Sequence, residues 1–297
     1  MTAESMPEDA RRAGSVRPRS GSPAVAAERG SMLSKMVEVL DLYSEDTITL
    51  SAEEIADRVG VSRPTAFRYV KELVRAGFLT RLAGRYALGA RIIELDYRIR
   101  RSDPVLLACR PVMEELTDML GFSTMLVRMY GDEIVTIHEQ PGRHSADISF
   151  GRGRPLPLFR GTSKALVAHL GPARLRRLYE RFQAHPDVLA IASGYGAFRD
   201  YFAAIRERGF YVSRGEIDEP VIGVGVPIAS EQEVVASLSV VFNRERESLV
   251  NLDGLIGLTQ AYCARMGQNV AQVLQSVRRA TVTTVEVSDF DTSSSAS

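Results

Sequence analysis

The chain has 297 residues, of which 45% are hydrophobic, so it is long enough for two domains with sizeable buried cores. Its 37 Lys and Arg residues balance 37 Asp and Glu residues, which excludes a protein that is basic or acidic throughout. No apolar run approaches the roughly 20 residues that span a bilayer, and the N-terminus lacks the apolar segment of a signal peptide. We therefore expect a cytoplasmic protein.

Cysteine and histidine usage gives no sign of a redox or metal site. Cys109 and Cys263 lie far apart in segments with helical periodicity, which favours two buried thiols over a disulfide. The four histidines show no zinc-site spacing, so we expect neither a metal nor a cofactor. Residues 1–30 lack periodicity and residues 279–297 end in SDFDTSSSAS, so both ends are predicted to be disordered.

Residues 51–75 predict two short helices around a tight turn. Ser51 and Glu54 have the spacing of a capping box, so the first helix should begin at Ala52. Gly60 suits the turn, because it adopts backbone conformations that bulkier residues resist. Ser62 can cap the second helix.

The second helix has one apolar side and one basic side. At about 100° per residue, a buried stripe is predicted at Ala66, Val70 and Leu73. The opposite side carries Pro64, Arg68, Lys71 and Arg75, flanked near the helix start by Arg63, Thr65 and Phe67. Side chains at this end of a recognition helix reach base edges in DNA. The pattern therefore favours a DNA-binding helix-turn-helix over an ordinary solvated helix face.

The residues that follow strengthen the case for DNA binding. Residues 78–81 and 85–88 read as two strands joined by a short glycine-containing turn, which is a candidate wing. Residues 58–91 contain eight Lys or Arg and one acid, whereas residues 38–57 contain seven acids and no Lys or Arg. The chain is neutral as a whole, but this part of it is strongly polarised.

Residues 90–104 predict a linker helix whose apolar residues alternate with charges. That alternation suits pairing with a second copy of the chain, and packing on its own domain is the alternative. Residues 105–278 then predict an α+β domain. Helices are expected at 105–120, 163–170, 173–182, 198–208 and 249–277, and strands at 124–129, 134–138, 147–150, 210–212, 221–228 and 234–242.

The second domain has two features typical of a small-molecule site. Gly161, Thr162 and Ser163 lie at a predicted helix start, where unpaired amides attract an anion such as a carboxylate. Small side chains share strand faces at Gly223, Gly225, Ser237 and Ser239, although a glycine bulge and a solvent-facing alternation would explain them equally well. No GxSxG, GxGxxG or P-loop motif is present, and Glu216 is predicted to be a surface charge, so an enzyme is the weaker hypothesis.

Together these segments resemble the isocitrate lyase regulator (IclR) family of bacterial transcription factors, from about Met32 to Val277. The motifs that carry the resemblance are GVSRPTAFRYVKEL, GRYALG, ACRPVMEEL, RPLPLFRGTSKALVA, RERGFYVSRGE, VIGVGVPIA and VASLSVVF. The resemblance implies a winged helix-turn-helix over residues 31–89, a linker helix, and a GAF-like effector-binding domain. It also implies assembly as homodimers or as dimers of dimers.

Transferred residue by residue, the resemblance implies DNA contacts at Ser62, Arg63, Pro64, Thr65, Phe67, Arg68 and, in the wing, Arg85. We expect base edges to be read by Arg63 and Arg68, and phosphates to be held by Lys71 and Arg81. The resemblance implies an effector site around Ile148, Leu156, Gly161, Thr162, Ser213, Gly223, Ser237 and Ser239. Where many members have a histidine, a cysteine and paired aspartates, this chain has Phe159, Gly223 and Ser213–Arg214. These departures favour a larger or aromatic carboxylate over a small keto acid.

The sequence thus predicts a non-enzymatic transcriptional regulator, acting as repressor or activator. Its expected partners are a pseudo-palindromic operator in double-stranded DNA, a small-molecule effector and further copies of itself, with no membrane. Two alternatives stay open: a regulator whose second domain serves only oligomerisation, and an enzyme with a DNA-binding appendage.

Overall fold

The computed structural model describes the backbone of residues 31–293 and the side chains of residues 31–279. The chain forms two compact units that divide between Arg101 and Ser102. This boundary lies inside the predicted linker at 90–104. Each unit has its own hydrophobic core.

The first unit combines a small helical core with a two-stranded wing. Its elements are α1 (Met32–Leu40), α2 (Ala52–Val59), α3 (Arg63–Arg75), β1 (Leu79–Leu82), β2 (Arg85–Leu88) and α4 (Ala90–Ser102). The strands β1 and β2 pair antiparallel. The core is formed by Val39, Leu50, Ile55, Ala56, Val59, Ala66, Val70, Leu73 and Leu79. The predicted apolar stripe of α3 is therefore confirmed.

Local hydrogen bonds explain where α2 and α3 begin. The Ser51 hydroxyl accepts from the Glu54 amide at 3.2 Å, and the Glu54 carboxylate accepts from the Ser51 amide at 2.7 Å. This reciprocal pair confirms the capping box. Gly60 ends α2 in the left-handed conformation, with φ of 70°. Ser62 lies at the cap position of α3, but its hydroxyl meets the Thr65 hydroxyl at 2.8 Å and makes no capping bond.

The second unit is an α+β domain, as predicted. Its elements are α5 (Pro104–Leu120), β3 (Ser123–Tyr130), β4 (Glu133–Gln140), β5 (Pro155–Leu156), α6 (Lys164–Val167), α7 (Pro172–Phe182), α8 (Pro186–Ile191), α9 (Tyr195–Arg208), β6 (Tyr211–Arg214), β7 (Val221–Ser230), β8 (Glu233–Asn243) and α10 (Leu252–Ser293). A 3-10 turn at Gly161–Ser163 leads into α6.

The six strands form one antiparallel sheet in the order β5-β4-β3-β8-β7-β6. One face packs against α5 and α10 through the larger residues of β7 and β8: Ile222, Val224, Val226, Ile228, Leu238, Val240 and Phe242. The other face packs against α6, α7 and α9 through Met125 and Val127 of β3 and through Val221 and Val241. Because β7 alternates, Gly223 and Gly225 lie on this second face.

Several segments differ from the sequence-based expectation. Residues 147–150 form no strand, because the Ser149 amide donates to the Asp218 carboxylate rather than to a neighbouring strand. The helices α1 and α8 and the short strand β5 were not predicted. The helix α10 continues to Ser293, through most of the segment at 279–297 that was expected to be disordered. The remaining residues of that segment, and the predicted N-terminal tail, lie outside the described residues.

The two cysteines confirm the prediction of buried thiols. Both Cys109 and Cys263 are buried and unpaired, and burial raises the pKa of the Cys109 thiol to about 12. Among the helices in the described part of the chain, none is both long enough and apolar enough to cross a membrane.

Two glycines of α10 should respond to alanine with opposite signs. A Cβ on Gly267 would lie 1.9 Å from the backbone oxygen of Ala229 on β7, so Gly267→Ala must push the helix off the sheet. We expect a loss of about 1–3 kcal/mol in the free energy of unfolding, measured by urea denaturation. Gly257 has nothing within 4 Å of its Cβ position. Gly257→Ala should therefore gain about 0.5–1 kcal/mol from helix propensity, and a matching loss at both sites would contradict this packing.

Candidate functional site

The outer face of α3 is basic and exposed. Arg63, Arg68 and Lys71 are exposed and form no ion pair within the described residues, whereas Arg75 pairs with Glu72 at 2.5 Å. Near the helix start, Ser62 and Pro64 are exposed and Thr65 is half-buried. Phe67 lies among these residues with 49% of its surface exposed. The residues predicted from the helical periodicity therefore share one accessible face.

A groove runs between this face and the wing. Four residues of α3 and two of the wing line it: Phe67, Arg68, Lys71, Val74, Arg81 and Tyr86. The Arg81 guanidinium lies 5.9 Å from the Tyr86 ring centre, and the Arg68 guanidinium lies 5.8 Å from the ring of Tyr69. Stacking on aromatic rings restrains these long side chains and leaves their charge available to an anion. The groove thus presents three cations to one side of the unit.

Arg85 has a different environment from the one expected. Its Nε donates to the Thr49 hydroxyl at 3.1 Å, its Nη2 donates to the Thr49 carbonyl at 3.2 Å, and its guanidinium pairs with the Glu54 carboxylate. The Ser51 amide and the charge of Arg85 together lower the pKa of Glu54. The donors of Arg85 thus fasten the wing to the start of α2, where the acidic segment supplies a partner. A contact of Arg85 with DNA stays a prediction.

The second unit contains a cavity against the β7–β8 face of the sheet. The space between its lining atoms amounts to about 470 Å³, a figure that includes open solvent at the mouth. Seven of the predicted effector residues line it: Ile148, Leu156, Gly161, Thr162, Ser213, Gly223 and Ser239. The lining also includes Met125, Val127, Phe150, Ile217, Asp218, Val221 and Val241, which sequence analysis did not identify.

The other three predicted residues do not line the cavity. Ser163 and Ser237 are fully buried, and no protein atom of the described residues bonds to their hydroxyls. A Cβ on Gly225 would lie 2.8 Å from the Cβ of Thr162, and one on Gly223 would lie 2.8 Å from its Cγ2. Because Gly223 and Gly225 have no side chains, the 3-10 turn can pack closely against the sheet. Thr162 then fills much of the space that these glycines were expected to leave open.

Thr162 is held at this position by a hydrogen bond across the cavity wall. The Ser239 hydroxyl donates to the Thr162 hydroxyl at 2.8 Å, which links β8 to the 3-10 turn. Ser213 faces the same turn from β6, with its hydroxyl 4.0 Å from the Cβ position of Gly161. Three hydroxyls thus provide the polar end of a cavity whose other walls are mainly apolar.

A buried polar cluster stands behind the 3-10 turn. The Glu216 carboxylate accepts from the Gly161 amide at 3.0 Å, from Lys164 Nζ at 2.6 Å and from the Tyr211 hydroxyl at 2.6 Å. Lys164 also donates to Tyr211 at 2.9 Å, and its side chain is only 7% exposed. The prediction that Glu216 is a surface charge is wrong, because its carboxylate is half-buried and paired with Lys164. The sequence did not reveal this pairing, since the two residues lie 52 apart in the chain.

The protonation of the cluster follows from its contacts. Burial acts to raise the pKa of Glu216, but the hydrogen bonds from Lys164, Tyr211 and Gly161 outweigh it, so this pKa falls below the ordinary carboxyl value. Burial and the bond to Glu216 raise the pKa of Tyr211. Glu216 is therefore an anion at neutral pH. Its carboxylate already accepts from the Gly161 amide, which was expected to bind a ligand carboxylate.

A second carboxylate joins two walls of the cavity. Asp218 accepts from the Ser149 amide at 3.0 Å and from the Ser149 hydroxyl at 2.6 Å. The neighbours of these two residues also line the cavity: Ile148 and Phe150 beside Ser149, and Ile217 beside Asp218. Asp218 is the charged residue of this lining, which contains no Lys or Arg. In the described part of the chain, no group of His, Cys, Asp or Glu side chains could hold a metal ion.

Removing Lys164 should destabilise the second unit. Lys164→Met leaves the half-buried Glu216 carboxylate without its cation, so we expect the free energy of unfolding to fall by about 2–4 kcal/mol. Folding lowers the pKa of Glu216 below its ordinary value of 4.5. The ion pair therefore stabilises the wild type fully above pH 4.5, and this stabilisation disappears as the pH falls through the lowered pKa. Denaturation curves of both proteins should therefore converge in acid.

Arg176→Met is the matched control for Lys164→Met. Its partner Glu180 lies four residues along α7, and both side chains are more than half exposed. Exposed pairs of this kind contribute little to stability. An equal loss in both variants, or a difference that persists in acid, would contradict the proposed role of Lys164.

Comparisons with known proteins agree with this architecture. The IclR helix-turn-helix domain model matches residues 32–83, and the model described as bacterial transcriptional regulator IclR C-terminal matches residues 100–266. The regulator XynR of Escherichia coli is 29% identical over 210 residues, covering 69% of this chain and 83% of the relative. The regulator KipR of Bacillus subtilis is 25% identical over 214 residues, with the same coverage of 69% and 83%.

Solved structures show the same fold. An IclR homolog of Microbacterium hydrocarbonoxydans, crystallised with 4-hydroxybenzoate, has a TM-score of 0.65 at 24% identity and covers 81% of this chain and 99% of its own. The IclR protein of Thermotoga maritima has a TM-score of 0.61 at 21% identity, covering 80% and 98%. Because the two family models together span both units, the chain belongs to the IclR family of DNA-binding bacterial transcriptional regulators.

Proposed function

We propose that this regulator binds a pseudo-palindromic operator as a homodimer or a dimer of dimers, and that a small molecule bound in the second unit changes its affinity for DNA. The observation that carries the DNA-binding part is the cationic groove between α3 and the wing, which is open to solvent and basic on both sides. Duplex DNA carries a dense line of phosphates that such a groove can neutralise.

The α3 residues divide by position into two groups. Arg63 and Arg68 lie on the first two turns of the helix, where side chains reach base edges, and a guanidinium can contact guanine with two hydrogen bonds. Lys71 lies one turn further along, and Arg81 projects from the wing, so both are placed for phosphates. Ser62, Pro64 and Thr65 would fix how closely the start of the helix approaches the duplex.

Pairing of two copies is supported by the exposed apolar residues of α4. Ile93, Tyr97 and Ile99 are 73%, 61% and 57% exposed, and no residue of α4 is buried in its own unit. A helix of this composition gains stability by burying its apolar residues against another chain. Two copies related by a twofold axis would present two α3 helices to two half-sites, which explains the proposed pseudo-palindrome.

The ligand is proposed to be a small aromatic carboxylate. The apolar walls suit a ring, and the hydroxyls of Thr162, Ser213 and Ser239 can bond to one polar end group. Because the lining contains no Lys or Arg, the apolar body would supply most of the binding free energy. The structural relative crystallised with 4-hydroxybenzoate makes this compound a suitable first probe.

The ligand would act by favouring one arrangement of the paired DNA-binding units over another. A ligand shifts such an equilibrium only through a difference in its affinity for the two states. Since half-site spacing is geometric, a small change in the distance between the two α3 helices alters operator affinity. Operator affinity that stays constant at a saturating ligand concentration would refute this mechanism.

Arg68→Ala should weaken binding to the operator far more than binding to random DNA. Loss of a base contact costs about 5- to 150-fold in affinity for the specific site, and fluorescence anisotropy with both duplexes measures the difference. Arg75→Ala is the control, because Arg75 lies at the helix end and already pairs with Glu72. Equal losses on both duplexes for Arg68→Ala would assign this residue to the phosphates instead.

Filling the cavity should abolish the ligand response without affecting DNA binding. Ser213→Leu places a larger apolar side chain in the cavity, so 4-hydroxybenzoate, if it raises the melting temperature of the wild type, should no longer do so. Arg214→Met is the matched control, because Arg214 is the next residue of β6, is exposed and pairs with Glu247. A variant that still responds to the compound would show that the ligand binds elsewhere.

A further inference from the structure

Phe67 is an apolar residue in a cationic setting. On α3, the large apolar side chains of Tyr69, Val70 and Leu73 are buried in the core, whereas Phe67 is 49% exposed. Its ring lies in the groove between α3 and the wing, together with Arg68, Lys71 and Arg81. The hydrophobic core of the unit is complete without Phe67, so the exposed ring is free to contact a partner in the groove.

The surroundings of the ring restrict what can cover it. Three cations flank it, so a second copy of the same face would bring like charges together, which opposes a symmetric protein contact. The occupant must be polyanionic and must offer an apolar group between its charges. Among the base edges of the DNA major groove, the C5-methyl group of thymine is the apolar group.

We propose that Phe67 contacts the C5-methyl group of one thymine in each half-site and makes the operator specific for thymine at that position. This inference rests on the proposed operator binding. Phe67 is the fifth residue of α3 and lies between Arg63 and Lys71, that is, between the residue expected at a base edge and the one expected at a phosphate. The ring is therefore placed to reach the edges of the base pairs in the major groove.

The test removes single methyl groups from the DNA. An operator is first selected from random-sequence duplexes with the full-length protein, and each thymine is then replaced by uracil, which preserves base pairing and lacks only the methyl. We expect one position per half-site at which uracil weakens wild-type binding by about fourfold. This is the effect of leaving about one methyl group unburied.

Protein variants then assign the effect to one side chain. Phe67→Ala should bind thymine and uracil operators equally, whereas Phe67→Leu should keep part of the preference because it retains an apolar contact. Leu82→Ala is the matched control, since Leu82 is a wing residue that is 52% exposed and does not line the groove. Its preference for thymine should equal that of the wild type, and thermal melting checks that all variants are folded.

Two outcomes would overturn the inference while leaving operator binding intact. Wild-type protein that binds every uracil-substituted operator as tightly as the original would show that no methyl group is read. A preference for thymine that persists in Phe67→Ala would assign the methyl contact to another residue. If no duplex is enriched in the selection, the proposed operator binding fails, and this inference fails with it.

Discussion

The carboxylate of Glu216 joins two parts of the second unit that are distant in the chain. It accepts from Gly161 in the 3-10 turn, from Lys164 at the start of α6 and from Tyr211 in β6. The loop that carries Glu216 also supplies Ile217 and Asp218 to the cavity wall. The shape of the cavity therefore depends on an ion pair that lies outside it, because these bonds fix the loop in place.

The sheet and the 3-10 turn meet through residues without bulk. Gly223 and Gly225 leave room for Thr162, and Ser239 then bonds to its hydroxyl. The opposite face of β7 carries Ile222, Val224 and Val226, which pack on α5 and α10. One strand therefore serves two purposes by its alternation: its larger residues build the core, and its glycines allow a loop to approach closely enough to form a binding wall.

Local interactions were predictable from the sequence, and long-range pairings were not. The capping box of Ser51 and the stripe of α3 depend on residues within one or two turns, so spacing alone revealed them. The ion pair of Lys164 with Glu216 joins residues 52 apart, and spacing carries no information about it. The glycines of β7 were expected to leave open space above the sheet, whereas Thr162 fills much of that space. Residues 147–150 alternate in polarity like a strand, but the Ser149 amide donates to the distant carboxylate of Asp218 and not to a neighbouring strand.

The link between Arg85 and Glu54 has a consequence for how salt effects on DNA binding are read. The slope of affinity against ionic strength is usually converted into a number of phosphates contacted, because it counts released counterions. Here the wing is fastened by an ion pair whose side chains are 41% and 43% exposed, so dissolved ions also screen this bond. The slope would then include loosening of the wing within the protein. A phosphate count derived from it would exceed the true number of contacts.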